Sequence, residues 1–213
     1  MEDTYMVLTQ KKNALSLFIA TAAIGITYQI FATYGLPGPI GLIIGVIWNM
    51  ALGGLAAYFF DKDTFLDRLK RFNWKVLAWG IPATILVGVV SGLIYASLFG
   101  KPTTNSIAGS VNITMMLTQV PFMLMGEEIL STNIVRSLRK ANVSFFIASL
   151  VSAVLFALWH IPAYGFNPMQ LLITIVPLRL LLNYIWERSE SIWVSWICHI
   201  LYDFISFIPF LIH

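Results

Sequence analysis

The sequence predicts an all-α fold of the polytopic membrane class: about seven transmembrane spans, with the N-terminus cytoplasmic, plus one interfacial amphipathic helix. Three observations carry this. Of the 213 residues 58% are hydrophobic and only 11% charged, against roughly 25% charged in ordinary soluble domains. The apolar residues fall in runs of the ~20-residue length that crosses a bilayer. The basic residues gather in alternate connections, as a membrane topology with a positive inner face requires.

The elements run in order along the chain. Ala14 to Tyr34 is the first span, closed by the turn Gly35-Leu36-Pro37-Gly38-Pro39, and Ile40 to Phe60 is the second. Asp61 to Lys75 interleaves Phe65, Leu66, Leu69, Phe72 and Trp74 with Lys62, Arg68, Lys70 and Arg71, the pattern of a helix lying in the interface. Val76 to Phe99 is the third span and residues 100–110 a polar loop. Val111 to about Leu138 is a fourth helix, disturbed near Pro121. Val143 to His160 is the fifth, ended by Ile161-Pro162. Met169 to Trp186, interrupted by Pro177 and Arg179, is the sixth, and Ile192 to Ile212 the seventh. The reading is of one membrane domain over 1–213, with N-terminal helices and interfacial segment in 14–75 and the core in 76–212.

With the N-terminus inside, the inner segments hold Lys11, Lys12, Lys62, Arg68, Lys70, Arg71, Lys75, Arg136, Arg139, Lys140 and Arg188, and the outer segments only Lys101. The first apolar run is too long for a secretory signal peptide and lacks its cleavage pattern. The lone Cys198 rules out an intrachain disulfide. No Gly-rich phosphate loop, zinc-finger spacing or basic-aromatic tract marks nucleotide or nucleic-acid binding. The partners to expect are membrane lipid and a membrane-embedded peptide or protein.

Against this apolar background a few polar groups stand inside the spans. Glu127 and Glu128 sit in a helix free of charge from Val111 to Met125. An ionisable group within a bilayer is costly unless it faces the bundle interior and has a partner, so it marks function by default. The adjacent glutamates are about 100° apart on their helix and can share one cavity without pointing the same way. Arg179 lies in the sixth span. His199 and Asp203, four apart on the seventh, share a face, so Asp203 is placed to fix the tautomer of His199. His160 ends the fifth. At ~1.5 Å per residue, Glu128 is about 12 Å from Arg136, Arg179 about 12 Å from Glu187 and His199 about 12 Å from Ser191. These depths agree. His160, about 25 Å from Asn142, does not match them. Either its helix starts deeper, or it tilts, or the site is spread along the membrane normal.

At these residues the sequence resembles the CPBP (Abi) family of intramembrane proteases, which includes type II CAAX prenyl endopeptidases and bacteriocin-processing or bacteriocin-immunity proteins. The resemblance runs over roughly residues 75–210. It rests on Glu127-Glu128, on Phe156 with His160, and on His199 with Asp203, in the family's order. It implies a catalytic set of Glu127, Glu128, His160, His199 and Asp203, a hydrolase of membrane-associated peptide bonds, and a bacterial cell-membrane location. One position departs. The family's Glu-Glu-x-x-x-Arg would place arginine at 132, where this chain has Thr132, with Asn133 after it. Arg179 is therefore expected to supply the missing counter-charge from the sixth helix. The alternative is a degenerate family member acting by binding, as in bacteriocin self-immunity.

Two chemistries use these residue types. In a glutamate-type protease, Glu127 with His160 activates water, and His199 with residue 203 stabilises the oxyanion. The choice of Glu127 as base comes from the resemblance. An ionised Asp203 cannot donate to an oxyanion, so it would be protonated or would orient His199. In a metalloprotease, Glu127, His160, His199 and Asp203 would bind zinc and leave a position for water. The resemblance implies the first scheme, which needs no cofactor.

Overall fold

The computed structural model describes residues 2–35, 38–106 and 111–211; among them the chain is helical, with no β-strand. The long helices are α1 (Glu2–Tyr34), α2 (Gly38–Lys70), α3 (Trp74–Phe99), α5 (Val120–Lys140), α6 (Phe145–Trp159), α9 (Val176–Ser189) and α10 (Ile192–Leu211). Short pieces, α4 (Ile113–Thr118), α7 (Ile161–Tyr164) and α8 (Pro168–Gln170), join them at one end of the bundle. Five helices are long and apolar enough to cross a membrane: α1, α2, α3, α8 continuing into α9, and α10. The other two expected spans differ for physical reasons. Helix α6 has only 15 residues, and α5 is too polar because it faces little lipid. It is packed round by α1, α2, α6, α9 and α10, with every residue from Glu128 to Ser137 buried.

Local chemistry explains the breaks. The fourth expected helix divides at Gln119, whose φ of −117° (ψ −51°) is displaced within the right-handed region, and Pro121 falls in the first turn of α5, where its missing N–H goes unnoticed. Ahead of Pro177 the chain makes a π-helical turn, Leu171–Ile175, in which the Val176 N–H donates to Leu171 O five residues back. Such turns arise where the ordinary ladder loses a donor, and they re-aim the helix beyond them. Ser144 caps α6 by accepting from the Ile147 N–H at 3.4 Å. Of the expected turn at 35–39, Leu36 and Pro37 lie outside the described residues, as do 107–110 of the polar loop and Ile212 of the last span.

The amphipathic segment is a continuation of α2 beyond a kink at Asp61 (φ −156°, ψ 41°) and ends at Lys70, short of the expected Lys75. It is not a free surface helix. Phe65 and Leu69 pack on a core of Met125, Ile129, Val135, Ala148, Trp186 and Ile192. The Arg68 guanidinium lies 4.3 Å over the Trp186 ring, and Trp193 Nε1 donates to Leu69 O at 2.7 Å. The buried Asp61 carboxylate pairs with Arg136 and Lys140, and Arg136 Nη2 also donates to Asp61 O at 2.9 Å. This end of the bundle is sealed. Nearer the middle, α2 and α5 touch backbone to backbone at Gly126. A Cβ there would lie 2.7 Å from Met50 N and 2.7 Å from Asn49 Cβ.

Candidate active site

Helix α5 sets Glu128 in the centre of the bundle with no solvent exposure. Arg179 reaches it from α9 through two hydrogen bonds, Nη1 to Oε1 at 2.5 Å and Nη2 to Oε2 at 3.0 Å. This planar fork is the strongest pairing a carboxylate finds in protein. The arginine is itself held. Its Nε donates to Asn183 Oδ1 at 3.1 Å, Asn183 Nδ2 donates to Ser149 Oγ at 3.1 Å, and the guanidinium lies 5.3 Å from the Phe156 ring centre. The counter-charge expected from the sixth helix is thus in place. Thr132 does not share that work: its hydroxyl donates to Glu128 O at 2.7 Å, within its own helix.

The same Glu128 orients a histidine. His199 Nδ1 lies 2.9 Å from Glu128 Oε1. A carboxylate engaged by arginine can only accept, so Nδ1 carries the proton and Nε2 is left facing the cavity. Asp203 therefore does not fix this ring, contrary to the sequence reading. Helical spacing puts it beside His199, but a partner from α5 holds Nδ1. His160 is set in the same way by backbone: Nδ1 lies 2.8 Å from Phe156 O, which only accepts, so its Nε2 is also free of a proton in the neutral ring. The Phe156 ring fits between the imidazoles, its centre 4.4 Å from that of His160 and 6.2 Å from that of His199.

Glu127, one residue from the buried ion pair, points into a cavity of about 410 Å³ and keeps 23% of its side chain exposed. Its Oε2 is 3.9 Å from His199 Nε2. His160, His199 and Asp203 line the same cavity, together with Tyr28, Gln29 and Asn49 from α1 and α2. The cavity thus gathers Glu127, His160, His199 and Asp203, while Glu128, Arg179 and Thr132 stand behind its wall.

The depth disagreement over His160 has two sources. Arg136 is not at the helix end: it is buried against Asp61, and α5 continues to Lys140. Counted from Lys140, Glu128 is about 18 Å deep, and counted from Ser144, Phe156 is also about 18 Å deep. His160 lies one turn, about 6 Å, further on. The site is spread along the bundle axis by that turn.

Among the described residues no three carboxylate, imidazole or thiol groups stand close enough together to hold a metal ion. Sequence reasoning missed Asn183 and Ser149, which support Arg179. Asn183 is four residues from Arg179 and so on its face, a signal that was available; Ser149 gave none. It also missed the cavity walls from α1 and α2, which carry no motif.

No curated protein and no solved structure matches the chain. Residues 108–205, which run from just before α4 to past Asp203 and leave α1 to α3 outside, match the family model described as type II CAAX prenyl endopeptidase Rce1-like. That match, over 98 of the 213 residues, is consistent with the CPBP resemblance.

Proposed function

We propose that this protein is an intramembrane endopeptidase that cleaves membrane-associated peptide or protein substrates with a water activated by Glu127. The observation that carries the reading is the division of labour between adjacent glutamates. Glu128 is neutralised by Arg179 and serves as a fixed strut, while Glu127 faces a cavity with two imidazole Nε2 atoms. A carboxylate in that position can take a proton from water as the oxygen attacks the scissile carbonyl carbon. His199, in its protonated form and held through Nδ1 by Glu128, donates from Nε2 to the resulting oxyanion. Collapse breaks the C–N bond, and the proton held by Glu127 passes to the leaving amine. His160 accepts from the attacking water or relays its proton, and Asp203 adds negative charge to the wall that both imidazoles share. The scheme uses no metal, so chelator treatment leaves the rate unchanged.

Arg179 supplies the counter-charge that Thr132 does not, which supports a working site over a degenerate one. The test is replacement of Glu127 by Gln, His160 by Ala and His199 by Ala, one at a time. Each purified variant in liposomes is incubated with a pool of apolar peptides and the products are read by mass spectrometry. Each loses about 10²–10⁴-fold of the cleavage rate, the usual contribution of a positioned acid–base group. Full activity in all three would overturn the enzymatic reading and leave a binding role.

A further inference from the structure

We infer that the cavity is fed from the non-cytoplasmic face of the membrane, and that the substrate is a peptide segment exposed or anchored there. The inference rests on the proteolytic reading for the chemistry inside the cavity, but its geometry stands apart from that reading. Eleven of the thirteen Lys and Arg residues belong to one end of the bundle, formed by the start of α1, the α2–α3 turn, the α5–α6 turn and the α9–α10 turn. Cross-links knit this end together: Asp61 with Arg136, Arg71 with Glu190, and Arg68 with Glu187 at 3.6 Å. An excess of basic residues in short connections fixes the cytoplasmic side.

The cavity lies toward the opposite end. Its outermost wall is the segment 102–106 with Ala163 and Tyr164, and the basic residue next to it in the chain is Lys101. That wall is built rather than loose. Gln170 clasps Thr103 from both sides, accepting from its N–H at 2.9 Å and donating to its carbonyl at 2.8 Å. The Ser106 N–H donates to Ala163 O at 2.8 Å, and Asn167 Nδ2 donates to the Tyr95 hydroxyl at 2.8 Å. From this rim the cavity descends to Glu127 and His199 and stops above the core of Met125, Ile129 and Trp186. A chain arriving from the basic face would have to pass that core and the buried Asp61–Arg136 pair. A chain arriving from the other face meets hydroxyl and amide groups, then the histidines.

Sidedness and access to the cavity are measured separately from activity. Three single-cysteine probes are made in the full chain expressed in cells: Ser106→Cys at the rim, Met123→Cys on the cavity wall and Asp63→Cys at the basic end. The native Cys198 is buried and serves as the background. A membrane-impermeant maleimide added to intact cells labels the 106 and 123 positions, and labels position 63 only after permeabilisation. Labelling at 63 in intact cells, with 106 and 123 silent until permeabilisation, reverses the orientation and overturns the inference. Labelling of 106 without 123 would show that the cavity is closed to that face, and would overturn it as well. Glu127→Gln, introduced into each probe, leaves these patterns unchanged while abolishing cleavage. Failure of the sidedness and failure of the proteolytic reading are thus read in different experiments.

Discussion

Replacing Arg179 by Ala removes the guanidinium that forks onto Glu128, and the size of the effect can be worked from the geometry. Both partners are fully buried and joined by two hydrogen bonds. Breaking a buried pair by deleting one member costs about 3–5 kcal/mol, because an uncompensated charge stays behind. Loss of the guanidinium over Phe156 adds about 0.5–1 kcal/mol. For a chain of this size each kcal/mol moves the melting midpoint by roughly 2–4 °C, so a fall of roughly 7–24 °C is expected by fluorescence-detected unfolding in detergent. Cleavage is lost in parallel, since His199 leans on the same carboxylate. The deciding measurement is the double variant Glu128→Met with Arg179→Met. Removing both charges together restores much of the lost stability, as replacement of buried ion pairs by apolar residues of similar volume does elsewhere. Activity does not return. An Arg179→Ala protein that melts and cleaves like the native one would refute the reasoning, and a double variant no more stable than the single would show that the pair is not the coupled unit.

Three further outcomes rest on particular contacts. Gly126→Ala drives a methyl group into the α2 backbone at Met50 N and destabilises by about 1–3 kcal/mol, the range for overpacking; an unchanged melting curve would mean that α2 and α5 can part freely there. Thr132→Val removes only a hydroxyl that bonds within its own helix, so stability changes by about 1 kcal/mol or less and activity is kept; a large loss would assign Thr132 a role in the site. The cavity wall carries Glu127 and Asp203 and, among the described residues, no Lys or Arg. Peptides with a free carboxylate next to the scissile bond are therefore cut about tenfold more slowly than amidated twins, about 1.4 kcal/mol of repulsion; equal rates in a paired competition would remove the electrostatic argument.

Much of the site could be read in the sequence because charge inside a membrane is expensive and must be partnered. Glu128 demanded a cation, Thr132 showed that its own helix did not supply one, and equal depth pointed to Arg179. Depth failed for His160 because Arg136 was used as a helix end. A charged residue marks the membrane boundary only when it reaches water, and Arg136 is spent on buried Asp61. Spacing failed for Asp203 in a related way: four residues on one helix establish a shared face, but a group from another helix took the imidazole first. The walls contributed by α1 and α2 could not be seen at all. Tyr28, Gln29 and Asn49 become part of the cavity through packing at sites such as Gly126, and a glycine in an apolar run does not announce which backbone it will meet.

The pairing of Glu128 with Arg179 also governs the order in which the molecule can be made. The two residues are separated by 51 positions, so at the usual ~5–20 residues per second the carboxylate is synthesised about 3–10 s before its counter-charge exists. A helix such as α5 cannot settle alone among lipid chains during that interval. It must stay beside the earlier α1 and α2, which it packs against in the finished fold, or remain at the insertion machinery until α9 emerges. Arrival of Arg179 is then the event that commits α5 to the membrane interior. A ribosome that stalls between these residues leaves a nascent chain whose central helix still has a charge to resolve, and such a chain is a ready target for the membrane's quality-control proteases.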